Sequence, residues 1–206
     1  QGSSLLQSAA IGFTLMVFTM LALAVIDHVG RKTLMIAGSI GYIVSLAVTA
    51  WAFYAYDAEF KTAIEANKAV AVEEDNLRQA ATPDAVSSEE GALAHAQVNA
   101  EAATTALGYG GSIVLVSLML FIASHAFGQG TVIWVFISEI FPNRVRARGQ
   151  ALGSFTHWFM AASISWTFPI VADWSGGHTF AFYAAMMVLQ LVWVLLIMPE
   201  TKGVPL

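Results

Sequence analysis

Long uncharged apolar stretches dominate the hydropathy pattern of the chain. They cover residues 5–26, 33–54, 112–138, 150–172 and 178–198, and none of them contains Asp, Glu, Lys or Arg. A helix rises about 1.5 Å per residue, so about 20 apolar residues cross a hydrocarbon layer of about 30 Å. Buried helices of a water-soluble protein would instead carry charged faces with a period of 3.6 residues. The pattern therefore predicts five transmembrane helices.

Composition agrees with a lipid environment and excludes several function classes. Charged residues make up 11% of the chain and hydrophobic residues 57%, whereas soluble domains carry about 25% charged residues. No basic stretch suits nucleic acid. The chain has no cysteine and no constellation of metal ligands or nucleophiles, and Gly128-x-Gly130 follows no strand, as a nucleotide loop would. We expect an all-α integral membrane protein in contact with the lipid bilayer, with no enzymatic activity, metal, cofactor or nucleic-acid partner.

The basic residues of the short connectors predict the orientation. They follow the first, third and fifth spans, and are Arg31, Lys32, Arg144, Arg146, Arg148 and Lys202. Basic residues in short loops mark the cytoplasmic side. With five spans all these positions fall on one side. We therefore predict a multi-pass protein of the cell (inner) membrane with its N-terminus outside and its C-terminus in the cytoplasm.

One long acidic segment, residues 55–110, lies on the predicted outer side. Its carboxylates outnumber its basic residues, Lys61, Lys68 and Arg78. The segment is rich in alanine, which predicts two helices, broken at Thr82-Pro83-Asp84. Ser87 and Glu90 form a capping-box pattern, and Gly108 is a candidate helix end. Because charged runs are usually solvated surfaces, we favour an extracytoplasmic helical cap over a binding module.

The chain therefore has three predicted regions. Residues 1–54 form two transmembrane helices joined by a basic cytoplasmic turn. Residues 55–110 form the acidic extracytoplasmic insertion. Residues 111–206 form three transmembrane helices and a short cytoplasmic C-terminus.

Three connector motifs are more specific than hydropathy. They are Asp27-His28-Val29-Gly30-Arg31-Lys32, Ser138-Glu139-Ile140-Phe141-Pro142-Asn143-Arg144-Val145-Arg146 and Pro199-Glu200-Thr201-Lys202-Gly203. Their order and spacing resemble the C-terminal half of the sugar porter family in the major facilitator superfamily, which includes bacterial xylose and animal glucose transporters. The resemblance implies that the five spans are the eighth to twelfth of twelve, in a truncated bundle. We therefore expect the N-terminal half of the same transporter as a missing partner.

The resemblance also implies a function. A sugar porter moves a monosaccharide across the membrane by alternating access, as a uniporter or a proton symporter, with the sugar near the midplane between the two halves. Two alternatives stay open. One is a major facilitator transporter of another polyol or organic solute, and the other is a transporter-like sugar sensor.

Two glycines interrupt the third apolar span, at Gly128 and Gly130. A helix weakened at mid-membrane is tolerated where protein or a water-filled cavity satisfies its backbone. Small residues equally allow close packing of helices. The sequence leaves both interpretations open.

The candidate sugar site follows from the resemblance. Trp134 ends the glycine-containing stretch where sugar porters carry a sugar-contacting tryptophan, and His157-Trp158 occupies the place of a polar residue followed by tryptophan. An indole offers a flat apolar face and one N–H donor, which suits a sugar ring. A lone membrane tryptophan is more often an interfacial anchor, and His157 could instead make an interhelical hydrogen bond. Further candidates are the polar Gln129, Thr19 and Gln7, whereas His125 is expected to be structural.

Charged residues at the cytoplasmic ends suggest a gate. The resemblance implies ion pairs among Arg31, Glu139 and Arg146 when the cytoplasmic side is closed. Ion pairs that exist in one state alone bias a two-state equilibrium. The alternative is static charge that merely sets the topology.

Overall fold

The structure, a computed structural model, describes residues 2–203, without the side chains of residues 2–8 and 10. Within this part, every regular element is an α-helix, which confirms the predicted all-α class. The helices are α1 (Gly2–Val29), α2 (Arg31–Ala55), α3 (Asp57–Gln79), α4 (Pro83–Ala106), α5 (Tyr109–Phe127), α6 (Gln129–Glu139), α7 (Arg146–Trp174) and α8 (Gly176–Leu196).

Four helical stretches in the described residues are long and apolar enough to cross a membrane. They are Ile11–Val29, Arg31–Ala55, Tyr109–Glu139, which comprises α5 and α6, and Gly176–Leu196. The predicted span 150–172 forms most of α7 but is not among them. Its apolar residues are diluted by serines, threonines and His157, so a fifth crossing stays a prediction.

The chain divides into two compact units, of which the first comprises Gln1–Ala50 and Val116–Leu206. Its core joins α1, α2, α6 and the end of α8, through Ile26, Leu34, Met35, Val132, Phe136, Val194 and Met198. Many large apolar side chains of this unit are exposed, as in Phe13, Trp166 and Leu196. A soluble protein rarely exposes so much apolar surface. Such a surface is instead suited to contact with lipid.

The long apolar stretch 109–139 is broken at Gly128, where α5 ends and α6 begins. The backbone there departs from helical geometry, with φ −100° and ψ −100°. The Gly128 N–H still donates to the Ser124 carbonyl at 3.0 Å. Thr131 donates its hydroxyl to the Ala126 carbonyl at 2.7 Å. The protein itself therefore satisfies backbone groups that lipid could not.

The same glycine also lies at a close approach between α2 and the broken helix. A Cβ built on Gly38 would lie 2.8 Å from the Gly128 Cα, and a Cβ on Gly128 would lie 2.7 Å from the Gly38 Cα. Farther along α2, the buried Thr49 and Ser117 hydroxyls are hydrogen-bonded at 2.7 Å. The break and close packing thus occur together.

The second unit, Trp51–Leu115, contains α3 packed against α4. Phe60, Ala63, Ala96 and Ala100 are buried. The connection precedes Pro83, the first residue of α4, and the side chain of Thr82 accepts a hydrogen bond from the Ala85 N–H at 3.3 Å. The prediction of two helices with a break here is confirmed.

The ends of α4 settle two smaller predictions. The helix ends at Ala106, and Gly108 adopts φ +49°, which confirms it as a helix end. The predicted capping box at Ser87 and Glu90 is wrong. Thr82 and Pro83 already start the helix a full turn earlier, so Ser87 lies inside α4.

We expect Gly38→Ala to destabilise the first unit by about 1–3 kcal/mol, because the methyl group would push α2 away from Gly128. Thermal unfolding of purified protein in detergent would measure this loss. Gly12→Ala is the matched control, since a Cβ at Gly12 meets nothing within 4 Å. Equal stability of the two variants would contradict the close helix contact.

Candidate functional site

A cavity of about 260 Å³ lies beside the helix break, inside the first unit. Helices α2, α5, α6, α7 and α8 all contribute to its wall, through Met35, His125, Gln129, Gly130, Ile133, Trp134, His157 and Gln190. The wall is mixed, with aromatic and aliphatic faces around imidazole and amide groups. Such a combination suits a small polar solute with an apolar face.

An aromatic cluster forms one side of the cavity. The ring centroids of Trp134 and His157 lie 5.0 Å apart at 66°, and those of His157 and Trp158 lie 5.3 Å apart at 84°. His157 thus stands edge-on between two indoles. Trp158 is 65% exposed and outside the cavity lining. The structure therefore brings Trp134 and His157 together at the cavity and leaves Trp158 beside it.

The three other polar candidates are placed differently. Gln129 lines the cavity, but its amide Nε2 donates to the Ser39 hydroxyl at 2.9 Å. Its Oε1 is buried and, within the described residues, accepts no hydrogen bond. The amide is therefore turned towards α2. Thr19 is half-buried on α1, away from the cavity lining. The side chain of Gln7 lies outside the described residues.

The cavity also contains two polar residues that the sequence analysis did not assign to it, His125 and Gln190. The hydroxyl of Tyr42 on α2 is hydrogen-bonded to the His125 Nδ1. Gln190 is an amide in the middle of the apolar helix α8. Polar residues inside a membrane span rarely face lipid. A polar residue within an apolar stretch is therefore the sequence signal that could have identified both His125 and Gln190 as cavity residues.

A second polar cluster lies at the start of α2. The guanidinium of Arg31 donates to both carboxylate oxygens of Glu139, at 2.7 and 3.1 Å. Arg31 also pairs with Asp27 at 2.9 Å, and the Thr201 hydroxyl donates to Glu139 at 2.6 Å. The Arg31 and Glu139 side chains are 10% and 15% exposed. A bidentate and largely buried pair is stronger than a surface ion pair.

Glu200 completes this cluster by binding backbone. Its carboxylate accepts the N–H groups of Arg31, Lys32, Thr201 and Lys202, each at 3.0 Å. The first two lie at the N-terminus of α2, whose free N–H groups and dipole favour a negative charge. Burial alone would raise the pKa of Glu200, but these four donors outweigh burial and hold that pKa below its ordinary value. The carboxylate is therefore ionised at neutral pH.

Arg146 does not join the cluster. Its Nε donates to the Phe141 carbonyl at 3.4 Å, and its buried Nη2 has no hydrogen-bonding partner in the described part of the chain. Among the expected triad, the structure therefore pairs Arg31 with Glu139 and leaves Arg146 apart. Sequence reasoning missed two partners of Arg31, which are Asp27 and Glu200. Glu200 binds backbone N–H groups, which a charge pattern does not reveal.

Known proteins agree with this architecture. Residues 1–72 and 93–206 match the family described as "Sugar (and other) transporter". The D-xylose-proton symporter of Escherichia coli strain K12 is 27% identical over 207 residues, covering 97% of this chain and 32% of the symporter. Sugar transporter ERD6-like 7 of Arabidopsis thaliana is 28% identical over 187 residues, covering 91% of this chain and 31% of that protein.

Solved structures show the same likeness. The proton:xylose symporter XylE of the major facilitator superfamily, bound to 6-bromo-6-deoxy-D-glucose, superposes with a TM-score of 0.67 at 27% identity. That match covers 98% of this chain and 33% of XylE. The inward-open structure of XylE from E. coli gives a TM-score of 0.66 at 27% identity, covering 98% and 34%.

The chain spans about one third of the length of these relatives. The family match leaves out residues 73–92, which are the end of α3, the connection and the first part of α4. All other residues of the chain are matched, including both polar clusters. With its helical fold and its likeness to XylE, the chain belongs to the sugar (and other) transporter family of the major facilitator superfamily.

Proposed function

We propose that this chain is part of the C-terminal bundle of a transporter that moves a monosaccharide by alternating access, by uniport or proton symport. The observation that carries the proposal is the cavity at the Gly128 break, where Trp134 and His157 meet. The indole of Trp134 can cover the C–H face of a sugar ring while the imidazole of His157 bonds to a hydroxyl group. Both relatives named above, a D-xylose-proton symporter and a sugar transporter, support this substrate class.

The rest of the binding site belongs, in this proposal, to the N-terminal half of the same transporter. The coverage of about one third of each relative supports a longer protein. A cavity of about 260 Å³ is below the usual range of about 300–1,000 Å³ for ligand pockets. Facing halves would enlarge it, and Trp158, Thr19 and Gln7 are proposed to contribute to the enlarged site.

The orientation and domain organisation are proposed from the charge distribution. The cluster around Arg31, Glu139 and Glu200 lies on the cytoplasmic side, with α7 as a fifth crossing. Under this topology the protein lies in the cell (inner) membrane, with its N-terminus outside and its C-terminus in the cytoplasm. The acidic helices α3 and α4 are then extracytoplasmic. The basic residues of the short connectors support it.

The Arg31–Glu139 pair is proposed as a cytoplasmic gate contact. It joins α2 to the end of α6, which also carries Trp134. A change at the sugar site could therefore reach the pair through one short helix. Arg146, whose Nη2 lacks a partner in the described residues, is proposed to bind a carbonyl or carboxylate of the other half in one transport state.

The sugar site is tested by Trp134→Ala in the complete transporter. Truncating an aromatic residue in a buried site costs about 2 kcal/mol or more, or roughly 30-fold in affinity. Trp158→Phe keeps a ring and loses one donor worth about 0.5–1.5 kcal/mol, so it should weaken binding less. Calorimetry with D-xylose and D-glucose on monodisperse protein measures both. Unchanged affinity of the Trp134 variant would remove the sugar site from this helix break.

The gate is tested by Glu139→Gln, which keeps the shape of the side chain and removes its charge. We expect slower net transport, while sugar binding from the outer side stays within about twofold, because the residue lies outside the cavity lining. Flux into proteoliposomes and equilibrium binding separate the two. Glu90→Gln, on α4, is the control. Normal flux with Glu139→Gln would leave the pair a packing or topology contact.

The topology is tested with single cysteines at Ala80 and Ala147, since the chain has none of its own. In intact cells Ala80→Cys should react with an impermeant thiol reagent, and Ala147→Cys should react after permeabilisation alone. Labelling of both from outside would overturn the proposed orientation.

A further inference from the structure

His125 occupies a position where its ring spans two environments. The Tyr42 hydroxyl bonds to Nδ1 on one side. On the other side, a Cβ built on Gly130 would lie 2.9 Å from the His125 Nε2 and 3.0 Å from its Cδ2. Because Gly130 has no side chain, it leaves space beside this edge of the imidazole, and both residues line the cavity. His125 is therefore more than a packing residue of α5.

The hydrogen-bonding needs of Tyr42 fix the direction of the bond. Tyr42 is 6% exposed, and within the described residues His125 Nδ1 is the one hydrogen-bonding partner of its hydroxyl. A buried O–H without an acceptor is costly. The hydroxyl satisfies this need by donating to Nδ1, which must then be unprotonated.

The proton of a neutral imidazole then resides on Nε2. Which ring nitrogen carries the proton is set by the hydrogen bond that the other nitrogen makes. Nε2 has no hydrogen-bonding partner among the described residues, and His125 lines the same cavity as Trp134 and His157. The Nε2–H of His125 is thus a hydrogen-bond donor at the cavity, and Tyr42, which is not among the lining residues, determines that the proton lies on this nitrogen.

We propose that His125 is a sugar-binding residue that donates its Nε2–H to a hydroxyl oxygen of the solute, and that Tyr42 is the positioning residue that fixes this tautomer. The inference rests on the proposed transport function and adds a donor from α5 to the site of α6 and α7. The Gln129 amide already uses one of its two N–H donors on Ser39 of α2. His125 adds to the cavity a donor from a different helix, α5.

The binding test uses His125→Phe, Tyr42→Phe and the double variant in the complete transporter. Phenylalanine keeps a ring in each case. With D-xylose and D-glucose in calorimetry, His125→Phe should weaken affinity roughly 3- to 10-fold, the range expected for one hydrogen bond. Tyr42→Phe should weaken it roughly 2- to 5-fold, and should have no further effect once His125 is Phe. Tyr183→Phe on α8, outside the cavity lining, is the control.

A second readout observes the tautomer directly and needs no substrate. In protein with ¹⁵N-labelled histidine, the His125 signals are those that disappear in His125→Phe. We expect an unprotonated Nδ1 and a protonated Nε2, and a mixture of tautomers in Tyr42→Phe. A protonated Nδ1 in the unmodified protein, or a Tyr42→Phe effect that persists in the His125→Phe background, would overturn the positioning role.

The outcomes distinguish this inference from the proposed function. Affinity that is lost in Trp134→Ala but intact in His125→Phe overturns the inference and leaves the function standing. Absence of sugar binding by the unmodified transporter overturns the function and, with it, the ligand role of His125. Loss in both variants, with non-additivity between Tyr42 and His125, supports both.

Discussion

The backbone contact between Gly38 of α2 and Gly128, at the break between α5 and α6, is the constraint on which the site depends. With no side chain at either position, the two helices approach until a Cβ on one would lie within 3 Å of the other's Cα. This approach sets Ser39 against Gln129 and Tyr42 against His125. The helix break at Gly128 then allows α6 to start in a new position, with Trp134 and Gly130 facing the cavity.

The membrane environment explains why most polar groups in the core of the first unit are hydrogen-bonded to other protein groups. An unsatisfied donor or acceptor costs several kcal/mol in hydrocarbon. The hydroxyls of Ser39 and Thr49 bond to carbonyls of their own helix, and Thr131 satisfies a carbonyl freed near the break. At the other end of α2, Glu139 and Glu200 use the Arg31 side chain and backbone for the same purpose. The buried Gln129 oxygen is an exception.

Most helices of the first unit could be predicted from the sequence, because a helix that crosses lipid has to be long and uncharged. The pattern of such stretches located α1, α2, α5 with α6, and α8. It served less well for α7, whose serines, threonines and His157 dilute its apolar residues. The capping box at Ser87 failed because a stronger signal, Thr82 followed by Pro83, lies a turn earlier.

The candidate site followed in part. Trp134 and His157 could be named through the resemblance to sugar porters, and both line the same cavity. His125 could not, because its role depends on Tyr42, which is distant in the sequence and close through the glycine contact. Trp158 lies next to His157 in sequence, but successive residues of a helix point in different directions, so it misses the cavity lining. Glu200 was missed as a contact because its partners are backbone N–H groups.

The central claim is that the cavity beside the Gly128 break receives the sugar. A crystal or cryo-electron microscopy structure of the complete transporter with D-xylose or D-glucose bound tests it most directly. The account predicts density for the sugar ring against the Trp134 indole, with a hydroxyl group within hydrogen-bonding distance of His157 or His125. A sugar bound elsewhere, with this cavity filled by side chains or lipid, would contradict it.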